Sequence, residues 1–271
     1  MSNADKTRMS EAIIQKTLDF GASLAGIAKV EDLKKAPSFV MAPGLPRGES
    51  VGTRESDIGL KPGEVSWPEG GKSALIIAFE HPQDKPELDW WENRKVTPGN
   101  NILVRIIDQA SEWVKESYGI KTYHIVYHIE KGGIFLKDSA VLAGLGTIGK
   151  NNMLITPEFG PRVRLRAMIL TEDLPSTGPI TFDPCIDCDM PLPCRKSCPQ
   201  NALGSQIYSE QEWGQKMLPG SDGTYSRDLC NIQMEIDLEH AEKATFGGQE
   251  EQNIYIKYCR LCETSCCIGE K

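Results

Sequence analysis

The sequence predicts an α+β fold in which a body of mixed or antiparallel strands is followed by a small, metal-dependent unit. Three observations carry this. Helix-period and strand-period segments alternate over residues 1–180 without the regular strand–helix–strand series of a parallel sheet. All nine cysteines of the 271-residue chain lie between Cys185 and Cys267, and the first 184 residues have none. Those cysteines recur at short spacings, Cys-x2-Cys above all, that suit metal ligation. The expected domains are therefore residues 1–180 and 181–271.

The elements follow in order. "SEAIIQKTLDFGASLAGIAKV" predicts a helix with Ser10 as N-cap and Glu11 in the first turn, its Ile13, Ile14, Thr17, Leu18 and Gly21 at helical spacing, and then a short strand. Ser2-Asn3-Ala4 reads as an expression-tag remnant outside the fold. Residues 36–71, rich in Pro and Gly, predict a long irregular segment of the kind that shapes binding sites. "SALIIAFEHP" is a continuous apolar run ending at Pro82, a buried strand. Trp90 and Trp91 sit in a polar connection, either packing back on the body or lining a pocket for a large flat ligand.

Pro98 opens a helix through Tyr118, with Ile102, Ile106, Ala110 and Trp113 on one stripe. "KTYHIVYHI" alternates as a strand with His124, Val126 and His128 on one face. Asp138 is expected to cap a short helix, "SAVLAG", and "MLIT" and "VRLRAMILT" read as two further strands. Arg162, Arg164 and Arg166 alternate along the last of these and read as a solvent-facing edge rather than a basic patch. The four histidines, His81, His124, His128 and His240, read as ordinary core or surface residues.

Composition excludes several functions. Hydrophobic residues at 39% and charged residues at 25% describe a globular protein. A net charge of −8 argues against broad binding to nucleic acid, which needs a basic surface. No run of 18 apolar residues marks a membrane span, and the absence of a basic-then-apolar leader points to the cytoplasm.

The stretch "LAGLGTIGKNN" matches two nucleotide motifs at once: Gly144, Gly146 and Gly149 spell G-x-G-x-x-G, and Gly144 to Lys150 spell G-x-x-x-x-G-K. Both motifs work only as strand, tight turn and helix, with the phosphates on the helix N-terminus. Here a helix precedes the glycines, and Pro157, Gly160 and Pro161 prevent one from following. Asn151 also stands where a Walker loop needs Ser or Thr. Two readings remain: a helix C-terminus reversed by left-handed glycines, or a close approach of backbone to some other bulky ligand.

The tail reads "CIDCDMPLPCRKSCP", then Cys230, then "CRLCETSCC". Its Cys-x5-Cys differs by three residues from the Cys-x2-Cys-x2-Cys-x3-Cys-Pro run of two-cluster ferredoxins, while Pro199 after the fourth cysteine agrees and is expected to open a short helix, "QNAL". Two 4Fe–4S clusters need eight soft thiolates. By the crossing rule of such ferredoxins, one cluster takes Cys185, Cys188, Cys194 and Cys266, and the other takes Cys198, Cys230, Cys259 and Cys262. Cys267 competes with Cys266 for one place. Structural zinc and disulfides are the alternatives; the first would use the paired Cys-x2-Cys elements, and the second conflicts with a reducing compartment.

Together, "KDSAVLAGLGTIGKNNMLITPEFGPRVRLRAMILTEDL" and the cysteine tail resemble the epoxyqueuosine reductase family, which is related to the reductive dehalogenases. The resemblance covers Leu136 to Cys266 well and the first half only through "FGASLAGIAKV" and "FEHP". It implies a nitroreductase-like α/β domain that binds a corrinoid (cobalamin), followed by a ferredoxin-like domain with two 4Fe–4S clusters. It also implies that Gly144, Leu145, Gly146, Gly149, Lys150 and Asn151 lie at the corrinoid and that Asp138 donates a proton to the substrate. Longer members carry a tRNA-binding region; with a charge of −8, a corrinoid or small-molecule substrate is the expectation here rather than tRNA. The expected activity is that of an oxidoreductase fed by an external donor of ferredoxin or flavodoxin type. Its alternatives are a non-catalytic electron-transfer or activator protein that reduces another protein's corrinoid, and an interaction module in which metal only holds the fold.

Overall fold

The computed structural model describes residues 2–45, 58–61, 63–93, 95–244 and 253–269, so the centre of the irregular 36–71 segment lies outside the described residues. The body contains α1 (Asn3–Asp19), β1 (Leu24–Lys29), the one-turn helices α2 (Val30–Leu33) and α3 (Pro37–Met41), β2 (Ser73–Glu80) and β3 (Trp91–Glu92). It continues with α4 (Pro98–Tyr118), β4 (Thr122–His124), α5 (Leu136–Leu142), β5 (Thr147–Ile148), β6 (Leu154–Ile155) and β7 (Val163–Leu170). The tail contributes α6 (Pro193–Lys196), α7 (Glu210–Trp213), α8 (Arg227–Glu239), β8 (Glu242–Ala244), β9 (Asn253–Ile256) and α9 (Leu261–Thr264).

A four-stranded sheet in the order β1-β2-β7-β4, every neighbouring pair antiparallel, organises the body. The two-residue period of β2 divides its side chains between two cores. Leu75 and Ile77 meet Ile13 of α1 and Leu103, Ile106 and Ala110 of α4. Ala74, Ile76 and Ala78 face Ala140 and Ala143 at α5, with Leu33 and Phe39 alongside. An isoleucine buried in this way contributes about 1.5–3 kcal/mol, and β2 is buried along most of its length.

Helix α4 has the bounds its sequence predicts. Thr97 accepts a hydrogen bond from the Asn100 amide at 3.1 Å, Pro98 occupies the first turn, and Gly119 ends the helix at φ 65°. Helix α1 begins earlier than expected. Ser2 accepts from the Asp5 amide while the Asp5 carboxylate accepts from the Ser2 amide, so the presumed tag residues form a capping box. Ser10 is consequently inside the helix, its hydroxyl donating to the Lys6 carbonyl.

Two other expectations are corrected by turns. Strand β4 stops at His124, because the chain then folds back, the amides of Lys131 and Gly133 both donating to the His128 carbonyl and Gly132 adopting φ 85°. "QNAL" is a pair of turns rather than a helix, since Asn201 is left-handed at φ 52°.

The tail is built differently. Strand β9 pairs with β3 of the body and with β8, tying residues after 250 to the connection that carries the tryptophans. Trp91 meets Tyr258 edge-on, and the Lys257 ammonium lies 4.5 Å above the Trp90 ring, so both indoles pack against the tail. Helix α8 buries none of its residues. Among the described residues, no helix is long and apolar enough to cross a membrane.

Candidate functional site

The described cysteines lie in two neighbourhoods. Cys185, Cys188, Cys194, Cys266 and Cys267 line one small cavity, together with Asn151, Ile155 and Leu192. Cys259 and Cys262 instead lie in the electrostatic reach of Cys198 and Cys230. Burial, reinforced by neighbouring thiols, pushes Cys188 and Cys262 up to about 12 and Cys266 to about 11. Thiols in such surroundings stay protonated unless a cation stabilises the thiolate. Cys267 is the more exposed of the final pair, and its sulfur lies 3.1 Å from that of Cys188. Among the described residues, no three or more His, Cys, Asp or Glu side chains converge as donors on a single metal ion.

The glycine stretch is the wedge between these sets. Helix α5 ends in a Schellman arrangement: the Leu145 amide donates to the Ala140 carbonyl and the Gly144 amide to the Val141 carbonyl, with Gly144 at φ 78°. The chain then crosses the short β5–β6 hairpin, where the Lys150 amide reaches the Cys185 sulfur at 3.5 Å and the Asn151 side chain donates to the Cys262 carbonyl at 3.3 Å. Asn151, itself buried, thus touches both sets. The space a side chain would need at the glycines is filled by the protein's own chain. A Cβ on Gly144 would lie 2.9 Å from the Thr177 carbonyl oxygen, one on Gly146 2.2 Å from that of Ile155, and one on Gly149 2.7 Å from the Ile155 side chain. In the direction a side chain would take, these glycines serve internal close packing. Leu145 is buried in the same core as α5.

Asp138 lies within the first turn of α5 rather than at its cap. One carboxylate oxygen accepts from the Ser38 amide at 3.1 Å, and the other is buried without a partner. Burial raises its pKa, against the opposing hydrogen bond from Ser38 and the charge of Lys137. The neighbouring Lys137 ammonium donates to the Asn152 carbonyl at 2.5 Å and is lowered to about 8 by burial.

Sequence reasoning missed a buried ion network. Asp89 holds Arg164 at 2.7 Å, Arg260 at 2.6 Å and His81 at 2.9 Å, and Glu263 holds the same two guanidiniums at 2.9 and 2.5 Å. Although burial opposes it, His81 and the two arginines keep the Asp89 carboxyl below the usual carboxylate range. Arg162 is 5% exposed and donates to the Ile268 carbonyl. Arg162 and Arg164 are thus not a solvent-facing edge: alternation identifies a face of β7, but what covers that face is the tail. The Arg260–x2–Glu263 spacing around Cys262 was the available signal. His81 is a fully buried core residue, while His124, His128 and His240 are exposed, as expected.

Comparison with known proteins fits this geometry. No family model matches the chain. The epoxyqueuosine reductase of Bacillus anthracis is 42% identical over 172 residues, covering 59% of this chain and 44% of that protein. The tetrachloroethene reductive dehalogenase of Desulfitobacterium hafniense is 36% identical over 156 residues, covering 48% of this chain and 28% of its own. The chain thus spans less than half the length of either relative. Among solved structures, the epoxyqueuosine reductase of Streptococcus thermophilus superposes with a TM-score of 0.61 at 18% identity, covering 97% of this chain and 66% of that one. A reductive dehalogenase described in terms of B12-dependent dehalogenation gives 0.50 at 15% identity, covering 84% and 32%. In sequence and in fold alike, the chain is a relative of the epoxyqueuosine reductases and the reductive dehalogenases.

Proposed function

We propose that this chain is the redox body of a corrinoid-dependent reductase, a nitroreductase-like domain followed by a ferredoxin-like domain with two 4Fe–4S clusters. The observation that carries the reading is that Asn151 lines the cavity of one group of thiols and donates to the Cys262 carbonyl of the other, while the Asp138 carboxyl is buried elsewhere, in α5. Cys185, Cys188, Cys194 and Cys266 would hold one cluster, and Cys198, Cys230, Cys259 and Cys262 the other. When bound, such clusters supply one-electron storage and transfer. The chain's own part is to hold the sulfurs as thiolates, to soften their charge and to deliver a proton. The amides of Lys150 and Ala202, aimed at the sulfurs of Cys185 and Cys198, favour the electron-rich state of each set. Asp138 carries its proton on the oxygen that has no other partner, which burial keeps neutral until a basic atom arrives.

The substrate class that fits a chain of net charge −8 is a corrinoid or a small reducible molecule, with an external one-electron donor. A second reading is an electron-transfer protein that reduces a corrinoid held elsewhere, with the close packing around the glycines serving the fold. Anaerobic reconstitution with iron and sulfide tests the common part: a brown protein with about eight irons per chain is expected, and a colourless chain retaining zinc would refute it. Titration with cob(II)alamin, followed by visible and EPR spectra, separates the two readings. Perturbed spectra are expected for the reductase, and unchanged spectra at high protein concentration leave the carrier. Asp138→Asn should abolish turnover and spare cofactor loading; unchanged turnover would remove its role as proton donor.

A further inference from the structure

The cavity of the first group of cysteines holds one thiol more than a cluster needs. Cys185, Cys188, Cys194, Cys266 and Cys267 all line it, whereas a 4Fe–4S cluster takes four thiolates. Cys266 is buried and Cys267 exposed, so the surplus sulfur faces solvent. That sulfur stands 3.1 Å from the sulfur of Cys188, a residue 79 positions earlier in the chain. A covalent S–S bond, about 2.03–2.05 Å long, is only about 1 Å shorter than this separation.

Both ends of the pair are held in place. The Cys188 thiol lies 3.8 Å from the Pro184 carbonyl oxygen, within its own loop. The residues after Cys267 are clamped to the body: Arg162, 5% exposed, donates to the Ile268 carbonyl at 2.8 Å. A Cβ on Gly160 would lie 1.9 Å from that same oxygen, and one on Gly269 2.3 Å from the Phe159 carbonyl carbon. Packing this close leaves Cys267 little room to swing away from Cys188.

Building on the ligand sets proposed above, we propose that Cys188 and Cys267 form a reversible disulfide in the cluster-free chain, a redox-sensitive pair that closes the first set to metal. The oxidant is a low-molecular-weight disulfide. The exposed Cys267 meets it first; its sulfur gives up a proton, displaces one thiolate and forms a mixed disulfide. The Cys188 sulfur then displaces the second thiolate, and the two protons leave with the two released thiols. The protein loses two electrons and the small disulfide gains them. Burial and the adjoining thiol hold the proton on Cys188, which makes the second displacement the slower one. Once closed, the pair leaves Cys185, Cys194 and Cys266, one thiolate short of a cluster. In a reducing compartment the bond is transient: excess small thiol reverses both steps and returns Cys188 to the set.

Treating the metal-free full chain with one equivalent of glutathione disulfide tests this, linked peptides being mapped by mass spectrometry after the free thiols are alkylated. Cys188 joined to Cys267 should be the main product, and dithiothreitol should release it. No link between the two, or links spread over the nine cysteines, overturns the proposal. In the anaerobically reconstituted chain, freed of excess sulfide, the same oxidant should form the link roughly tenfold more slowly, because Cys188 is bound. A loaded chain that links as fast as the metal-free one overturns the coupling to metal. Cys267→Ser, reconstituted under reducing conditions, should take up the same iron as wild type, about eight per chain. Half that iron would make Cys267 a ligand and overturn its role as the surplus thiol. A wild-type chain that takes up no iron refutes the cluster reading itself, a failure distinct from a missing link, which is read without metal.

Discussion

The body and the tail are held by different forces. In the body, a central sheet is sealed on both faces by helices, and Leu75, Ile76, Ile77, Met168 and Ile169 are fully buried. In the tail, α8 buries nothing, and beyond cysteine the buried apolar side chains are few, Leu192, Ala202, Leu203, Leu218 and Ile256 among them. A segment with so little apolar burial cannot offset the entropy of ordering its chain, roughly 1–2 kcal/mol per residue. What remains to order it is thiol chemistry and the ion network at Asp89 and Glu263. The contrast teaches that one chain can contain a region ordered by excluding water and another, poor in buried apolar side chains, ordered by shared charge and, on the proposed reading, by metal.

The largest effect expected from this contrast is on metal removal. Chelation under anaerobic conditions should strip hydrogen-exchange protection from α6, α8 and α9 while β2 and β7 stay protected; equal loss in both regions would erase the distinction. Next is Asp89→Asn, which leaves Arg164, Arg260 and His81 without their shared carboxylate. It should cost about 3–5 kcal/mol in denaturant unfolding and release the tail first. The same contact predicts acid sensitivity. Because the folded pKa of Asp89 is depressed below 3.8, its contribution is fully present above about pH 4 and is lost as the pH falls through the depressed value. Asp89→Asn should remove that component of the acid transition.

Ile76→Ala should cost roughly 2–5 kcal/mol by opening a cavity under α5, with a cooperative loss of the body that chelator does not change. Smallest is Thr97→Ala, about 1 kcal/mol for the lost cap of α4, measurable as a lower urea midpoint with no change in tail protection.

How much of this was legible depends on sequence distance. Strand β2 and helix α4 were read correctly because an apolar run, a proline at the first turn and a helical stripe are local signals. The proposed thiol sets rest on spacing together with the crossing rule of two-cluster ferredoxins. Asp138 was read as a cap because Ser38, which donates to it, is 100 residues away. The network joining Asp89, Arg164 and Glu263 was invisible for the same reason: each charge, taken locally, suits a solvated surface. Ser2 was set aside on its resemblance to a cloning scar, though Asp5 three residues on completes a capping box. Side chains whose partners lie within one turn could be read from the sequence, and those whose partners arrive from another element could not.

The crossing of the cysteines also has a consequence in time. On the proposed ligand sets, one waits for Cys266 and the other for Cys259 and Cys262, so neither could close until synthesis has passed those residues. On those proposed sets, a chain stalled between Cys230 and Cys259 would carry five thiols, three of one set and two of the other, each able to catch a stray metal or an oxidant and neither able to finish. On that reading, the order of the cysteines along the chain makes synthesis through Cys266 a condition of maturation, a checkpoint written into topology.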